Sequence, residues 1–229
     1  MNYKIKMSTE DLGITTEYAL CLLYDQLFPR QFKYSIEKAN TLKIRFQNLK
    51  THFPTLEYIG HQSNLYDFEN PKLSVKTTKR YWKFCPQQIG QTTIKKFKSI
   101  FNLQDQDNIR KFILENPATL LERYFEHSFH CPVFWYNETE NKCLLIRLKQ
   151  QINWSKYDIT FTKPTVITWR ESNTLKLTRY TYNQNDGLQT ITATVGEFQI
   201  HNNRNCIKFR FCLSGLLKLF SSYFDVIEI

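Results

Sequence analysis

Between residues 65 and 77 polar and apolar side chains alternate along two short runs on either side of Asn70-Pro71. In the first run Leu65, Asp67 and Glu69 fall on one face and Tyr66 and Phe68 on the other. In the second, Leu73, Val75 and Thr77 oppose Ser74 and Lys76. Alternation with period two is the mark of a strand, so the pattern predicts a hairpin turning at Asn70-Pro71. If its polar faces coincide, Asp67, Ser74 and Lys76 converge on one spot.

The rest of the pattern surrounds this hairpin with other elements. Residues 8–13 read as a turn. Thr15 or Thr16 is expected to cap a helix that runs to about Leu27, with Glu17 in its first turn and Pro29 ending it. A second helix is expected from Gln31 to Leu49, where Phe32, Ile36, Ala39, Leu42, Phe46 and Leu49 recur at helical spacing. Its other face carries Lys33, Lys38, Lys43, Arg45 and Lys50, as a phosphate-facing or a merely solvated surface. A strand at 56–59 and a loop at 60–64 lead into the hairpin. After it comes a basic-aromatic segment, Lys79 to Phe84. Thr92 or Thr93 is expected to cap a helix through Phe101, and helices follow at about 107–115 and 118–127.

From residue 133 the chain turns strand-rich. Runs at 133–136, 144–148, 165–169, 175–182, 190–199 and 206–211 are dense in Thr, Ile, Val, Tyr and Phe. Asn185-Asp186-Gly187 signals a hairpin turn, and a helix from Leu213 to Phe224 is expected to close the chain. The order predicts an α+β fold with an α/β-like core: a central mixed sheet flanked by helices, with a strand-rich C-terminal half. One domain over residues 1–229 is expected, with core elements to about 150 and a strand-rich part over about 151–229.

Composition adds a partner class. The 229 residues carry 31 Lys and Arg against 21 Asp and Glu, a net charge of +10, which puts polyanions first among partners. Six cysteines, Cys21, Cys85, Cys131, Cys143, Cys206 and Cys212, form no CxxC pair. They read as free thiols in a reducing, cytoplasmic compartment. The opening residues carry no secretory leader pattern, and no apolar run is long enough to span a bilayer. His127, His130 and Cys131 lack the second half of a zinc site and read instead as a helix end packed on a strand.

Asp67, then Ser74-Val75-Lys76 on the following strand, then a helix, resembles the core of the PD-(D/E)xK nucleases. The stretches Leu73 to Thr77, Cys85 to Gln91, Gly196 to His201 and Ile207 to Phe211 are similar to those of small type II restriction endonucleases. The resemblance implies a restriction-endonuclease-like fold. It also implies Mg2+-dependent hydrolysis of phosphodiester bonds in double-stranded DNA at a short specific sequence, with Mn2+ as a substitute metal. A cognate DNA methyltransferase is implied as well, not as a physical partner, and a two-fold homodimer would suit a palindromic site.

The resemblance assigns roles residue by residue. Asp67, the Val75 carbonyl and Glu17 would hold the metal. Lys76 would orient or deprotonate the attacking water and stabilise transition-state charge. Ser74 stands where the family has an acid. Superfamily members move that acid to a neighbouring helix, which favours Glu17 over Glu69 as the second carboxylate. Gln88 and Gln91 also lie where a displaced acid would sit, but are amides, and Gln91 joins Asp67, Lys76, Glu17 and Ser74 in the expected catalytic set. Phosphate contacts are expected from Lys79, Arg80, Lys83, Lys95, Lys96, Lys208 and Arg210. Base contacts are expected from Gln88 and from loops at 183–186 and 201–205, with His201, Asn203 and Arg204. Competing readings are a cross-strand Asp67–Lys76 ion pair, a non-catalytic nucleic-acid-binding protein on a nuclease-like fold, and a repair nickase.

Overall fold

The computed structural model describes residues 7–29, 35–60, 64–79 and 81–229. The helices are α1 (Thr9–Leu23), α2 (Ile36–Arg45), α3 (Leu49–His52), α4 (Ile94–Ile100), α5 (Ile109–Glu115), α6 (Pro117–Phe129) and α7 (Leu213–Phe220). The first strands are β1 (Glu57–Tyr58), β2 (Phe68–Glu69), β3 (Ser74–Thr78), β4 (Lys83–Phe84), β5 (Gln91–Thr93), β6 (Val133–Asn137) and β7 (Lys142–Leu148). They are followed by β8 (Asp158–Phe161), β9 (Ser172–Asn183), β10 (Gly187–His201), β11 (Cys206–Cys212) and β12 (Phe224–Glu228). The fold is α+β, as expected. The chain divides into two compact units, neither continuous in sequence: Met1–Tyr81 with Cys131–Arg147 and Val226–Ile229, and Trp82–His130 with Leu148–Asp225.

In the first unit, α1 begins seven residues earlier than a Thr15 cap would place it. Ser8 and Asp11 form a capping box: the Asp11 amide donates to Ser8 Oγ and the Ser8 amide to Asp11 Oδ2, both at 3.0 Å. The Thr15 hydroxyl instead donates back to the Asp11 carbonyl at 2.6 Å. Glu17 therefore lies in the interior of the helix, not in its first turn. The helix stops at Leu23, short of Leu27, because Asp25 turns left-handed at φ 54°. Ser35 caps α2; the expected start of this helix at Gln31 lies outside the described residues. The expected continuation to Leu49 is interrupted after Arg45 and resumes as the short α3.

The sheet of this unit has the order β12-β7-β6-β3, with β3 parallel to β6 and β6 antiparallel to β7. This is the mixed sheet that was expected. Register puts Val75, Phe134 and Leu145 side by side on one face, and Thr77, Tyr136 and Cys143 beside them. Leu12, Ala19 and Leu20 of α1 and Ala39 and Leu42 of α2 join that face in one buried cluster. Phe46 meets Phe134 and Tyr136 edge-on at 4.8 and 5.5 Å. The opposite face of β3 carries Ser74, Lys76 and Thr78, with Trp135 beside Lys76.

The second unit holds an antiparallel sheet of order β4-β11-β10-β9-β8, with β5 also paired to β11. Its apolar face is aromatic: Tyr124 of α6 stacks on Phe209 at 4.3 Å, and Phe125 meets Phe211 edge-on at 6.1 Å. Thr93 caps α4, as one of the two expected capping residues. The expected strand at 165–169 is a turn instead. Pro164 precedes it, and the Thr165 and Thr168 hydroxyls, 2.9 Å apart, bond to each other and to the backbone. The expected closing helix ends at Phe220, and Phe224–Glu228 is a strand. Among the described residues no helix is long and apolar enough to cross a membrane.

α7 lies against β10 with almost no clearance. A Cβ at Gly215 would stand 1.7 Å from the Thr194 carbonyl oxygen. Gly215→Ala is therefore expected to destabilise the protein by about 1–3 kcal/mol, although alanine is the better helix former. A thermal melt checks this; an unchanged or raised Tm contradicts it.

Candidate active site

The hairpin's pairing forms, but only Phe68–Glu69 of its first run is strand, bridged to Leu73, and residues 65–67 bend where a strand was expected. The Asp67 and Phe68 amides donate to the Leu73 carbonyl at 3.0 Å, and the Leu73 amide returns to Phe68 at 2.9 Å. Asn70 takes the left-handed conformation, φ 58°, at the turn. Pairing brings Asp67 beside the start of β3, where the Val75 amide donates to Asp67 Oδ2 at 2.6 Å and the Ser74 hydroxyl to the same oxygen at 3.3 Å. The amide and carbonyl of one residue in a strand point to the same edge. The Val75 carbonyl is thus turned toward the side that Asp67 occupies.

Asp67, Ser74 and Lys76 are all buried, at 6%, 1% and 9% exposure. Strand alternation puts Lys76 on the face of β3 that Ser74 presents to Asp67. Among the described residues Asp67 makes no ion pair and its Oδ1 accepts no hydrogen bond. The alternative reading of a cross-strand Asp67–Lys76 ion pair is therefore not what forms. A buried carboxylate with one oxygen fixed by a backbone amide and the other uncommitted is a ready acceptor for a cation or a water.

Cys131 belongs to this site and was missed as part of it. It ends the segment leading into β6, whose parallel pairing with β3 puts Pro132 on the Ser74 amide at 2.9 Å. Burial pushes the Cys131 thiol up to about 12, with Lys76 drawing it down and Asp67 raising it further. The thiol therefore stays protonated. The sequence signal was only Cys131-Pro132 at a strand start.

Glu17 stands on α1, hydrogen-bonded to Tyr58. The Tyr58 hydroxyl donates to Glu17 Oε2 at 2.7 Å, on the side where Tyr58 meets Phe68 ring to ring at 5.2 Å. Glu69 pairs across from Glu57 in β1. Among the described residues no group of three or more His, Cys, Asp or Glu side chains comes together. Gln88 and Gln91 belong to the second unit: Gln88 turns left-handed at φ 61°, and Gln91 lies in β5 opposite Lys208.

The expected DNA contacts sort into two groups. Register places Lys83, Gln91, Lys208, Arg210, Gln199 and His201 on one polar face of the second unit's sheet. Asn203 and Arg204 stand exposed in the short turn between β10 and β11, and Lys95 and Lys96 are exposed at the start of α4. Lys79, in the first unit, sits 3.7 Å from Glu138, which also binds Lys38. Arg80 lies outside the described residues.

Two cations on the polar face are not free-standing. Glu197, 12% exposed, takes Lys83 at 2.9 Å and Arg210 at 3.0 Å and also accepts from Gln199. Burial alone would raise its pKa, but the hydrogen bond and charge of Lys83 with the charge of Arg210 outweigh it and hold the carboxyl below its ordinary value. A depressed folded-state pKa contributes stability above the ordinary carboxylate range of about 4.3, lost as pH falls through it. Glu197→Gln is expected to lower the urea midpoint at neutral pH and to flatten its fall between about pH 5 and 3. An unchanged midpoint at both pH values contradicts the assignment.

No family model matches the chain, and no solved structure matches it significantly. One curated protein does match, and this chain spans 62% of that protein's length. Across 227 aligned residues, 95% of its own length, the chain is 37% identical to the type II restriction enzyme CviAII of Paramecium bursaria Chlorella virus 1.

Proposed function

We propose that this chain is a type II restriction endonuclease that hydrolyses phosphodiester bonds in double-stranded DNA at a short specific sequence, with a divalent metal. The observation that carries the reading is the Asp67 carboxylate, clamped by the Val75 amide at 2.6 Å with Lys76 on the same strand face. The similarity to a restriction enzyme supports it. The donor set suits a hard cation: Asp67 Oδ1 and the Val75 carbonyl are oxygen ligands, and Mg2+ commonly takes one or two carboxylates, with water and substrate phosphate completing its shell. Bound there, Mg2+ or Mn2+ would polarise the scissile phosphate and lower the pKa of a bound water.

The chain's own residues supply the rest. Val75 N–H and Ser74 Oγ fix the rotamer of Asp67, so the carboxylate is in place before substrate arrives. Lys76 offers an ammonium to the phosphate oxygens as charge builds on them, and orients the attacking water by hydrogen bonding. Ser74, in place of the family's acid, leaves Asp67 as the carboxylate of this pocket.

Digestion of a sequenced phage genome tests the reading. Discrete fragments with Mg2+ and intact DNA with chelator are expected. Intact DNA under both conditions, over varied substrates, overturns it. Ser74 favours one alternative, a non-cutting DNA-binding protein, which would show salt-sensitive binding without fragments.

A further inference from the structure

At one end of the second unit's sheet lies a cavity of about 650 Å³ whose walls include Arg110, Lys163 and Arg170. Glu171 is the one acid among its lining residues. None of the three cations belongs to the residues read from sequence as DNA contacts, and all lie in one unit. Two of them are tied into the backbone around the cavity: Arg110 Nη2 donates to the Arg170 carbonyl at 2.9 Å, and Lys163 Nζ to the Ser172 carbonyl at 2.7 Å. Ser172 completes the wall with Val166 and Trp169, the last two on the turn that the Thr165 and Thr168 hydroxyls lock. Trp169 is buried, its indole N–H donating to the Glu171 carbonyl at 3.3 Å. Arg110 and Lys163 thus stand on a fixed frame, which lowers the cost of ordering them on binding.

The cavity adjoins the polar face described above. Ser172, which lines it, pairs with Gln199, which pairs with Lys208, which pairs with Gln91. Directly opposed residues share a face of an antiparallel sheet, so Ser172 is both the last polar position of that face and part of the cavity wall.

We propose that this cavity is a cradle for the sugar–phosphate backbone of the duplex, an extension of the DNA contact beyond the sheet's polar face. The inference rests on the endonuclease reading. Three cations against one acid match the charge of consecutive phosphates, and guanidinium forks match their geometry. A contact with phosphates positions the duplex without reading its sequence.

The test is duplex binding by the full chain in chelator, followed by fluorescence anisotropy across a salt series. Lys163→Gln and Arg170→Gln are each expected to flatten the dependence of log affinity on log salt by about one, and the double variant by about two, equally on cognate and unrelated duplexes. Thermal melts matched to the parent confirm that the variants fold. Slopes unchanged from a parent that binds DNA overturn the cradle and leave the endonuclease reading standing. A parent that neither binds nor cuts DNA overturns both. Loss of inorganic phosphate binding in the variants with no change in the duplex slope makes this a free-anion site, and also overturns the cradle.

Discussion

Asp67→Asn is expected to abolish the proposed DNA cleavage and to leave duplex binding intact or tighter. The amide keeps an acceptor oxygen for the Val75 N–H, so the hairpin holds. What is lost is the negative charge at Oδ1 that a cation needs. The rate is expected to fall at least about 10³-fold. Removing a buried carboxylate from a phosphate site also removes repulsion, so affinity in chelator does not fall. Asp67→Ala cuts no better but is a poorer probe. It orphans the buried Val75 amide and Ser74 hydroxyl, at a cost of about 1–3 kcal/mol of stability. Single-turnover cleavage and anisotropy on both variants check this. Cutting by Asp67→Asn within tenfold of the parent contradicts it.

Lys76→Met has the second largest effect. Lys76 is 9% exposed beside Trp135, and methionine fills much of its volume without the charge. The fold is expected to persist while the cleavage rate falls about 10²–10³-fold, the usual loss when one charge-stabilising donor is removed. Lys76→Arg is not expected to restore it, because a planar guanidinium cannot place its charge where a compact ammonium stands. Rescue by arginine to the parent's rate would make the group a general anion binder instead.

The turn at Asn70 and the second strand were legible in the alternation, but the first run is strand only at Phe68–Glu69, where the Asp67 and Phe68 amides share the Leu73 carbonyl and break the alternation. Asp67 and Ser74 meet as that pattern implies. Cys131 was not legible, since only the parallel pairing of β3 with β6 brings it there, and no local signal announces a parallel neighbour. The same holds for Glu197. Its ties to Lys83 and Arg210 depend on the register of three strands drawn from distant parts of the chain. Local chemistry misled in two places. Threonines at 15 and 16 look like caps, but Ser8 with Asp11 closes a reciprocal box earlier. The β-branched run at 165–169 looks like a strand, but its hydroxyls at positions 165 and 168 bond each other and fold it into a turn. Glu17 is placed in the site by the resemblance to other nucleases, and it accepts a hydrogen bond from the Tyr58 hydroxyl.

The claim beneath all of this is that Asp67 and Lys76 work as one unit on the same phosphate. A double-mutant cycle on single-turnover cleavage, using Asp67→Asn, Lys76→Met and the pair, measures that directly. The account predicts that the pair loses no more than the worse single variant. Losses that multiply, or a single variant that cuts like the parent, would contradict it.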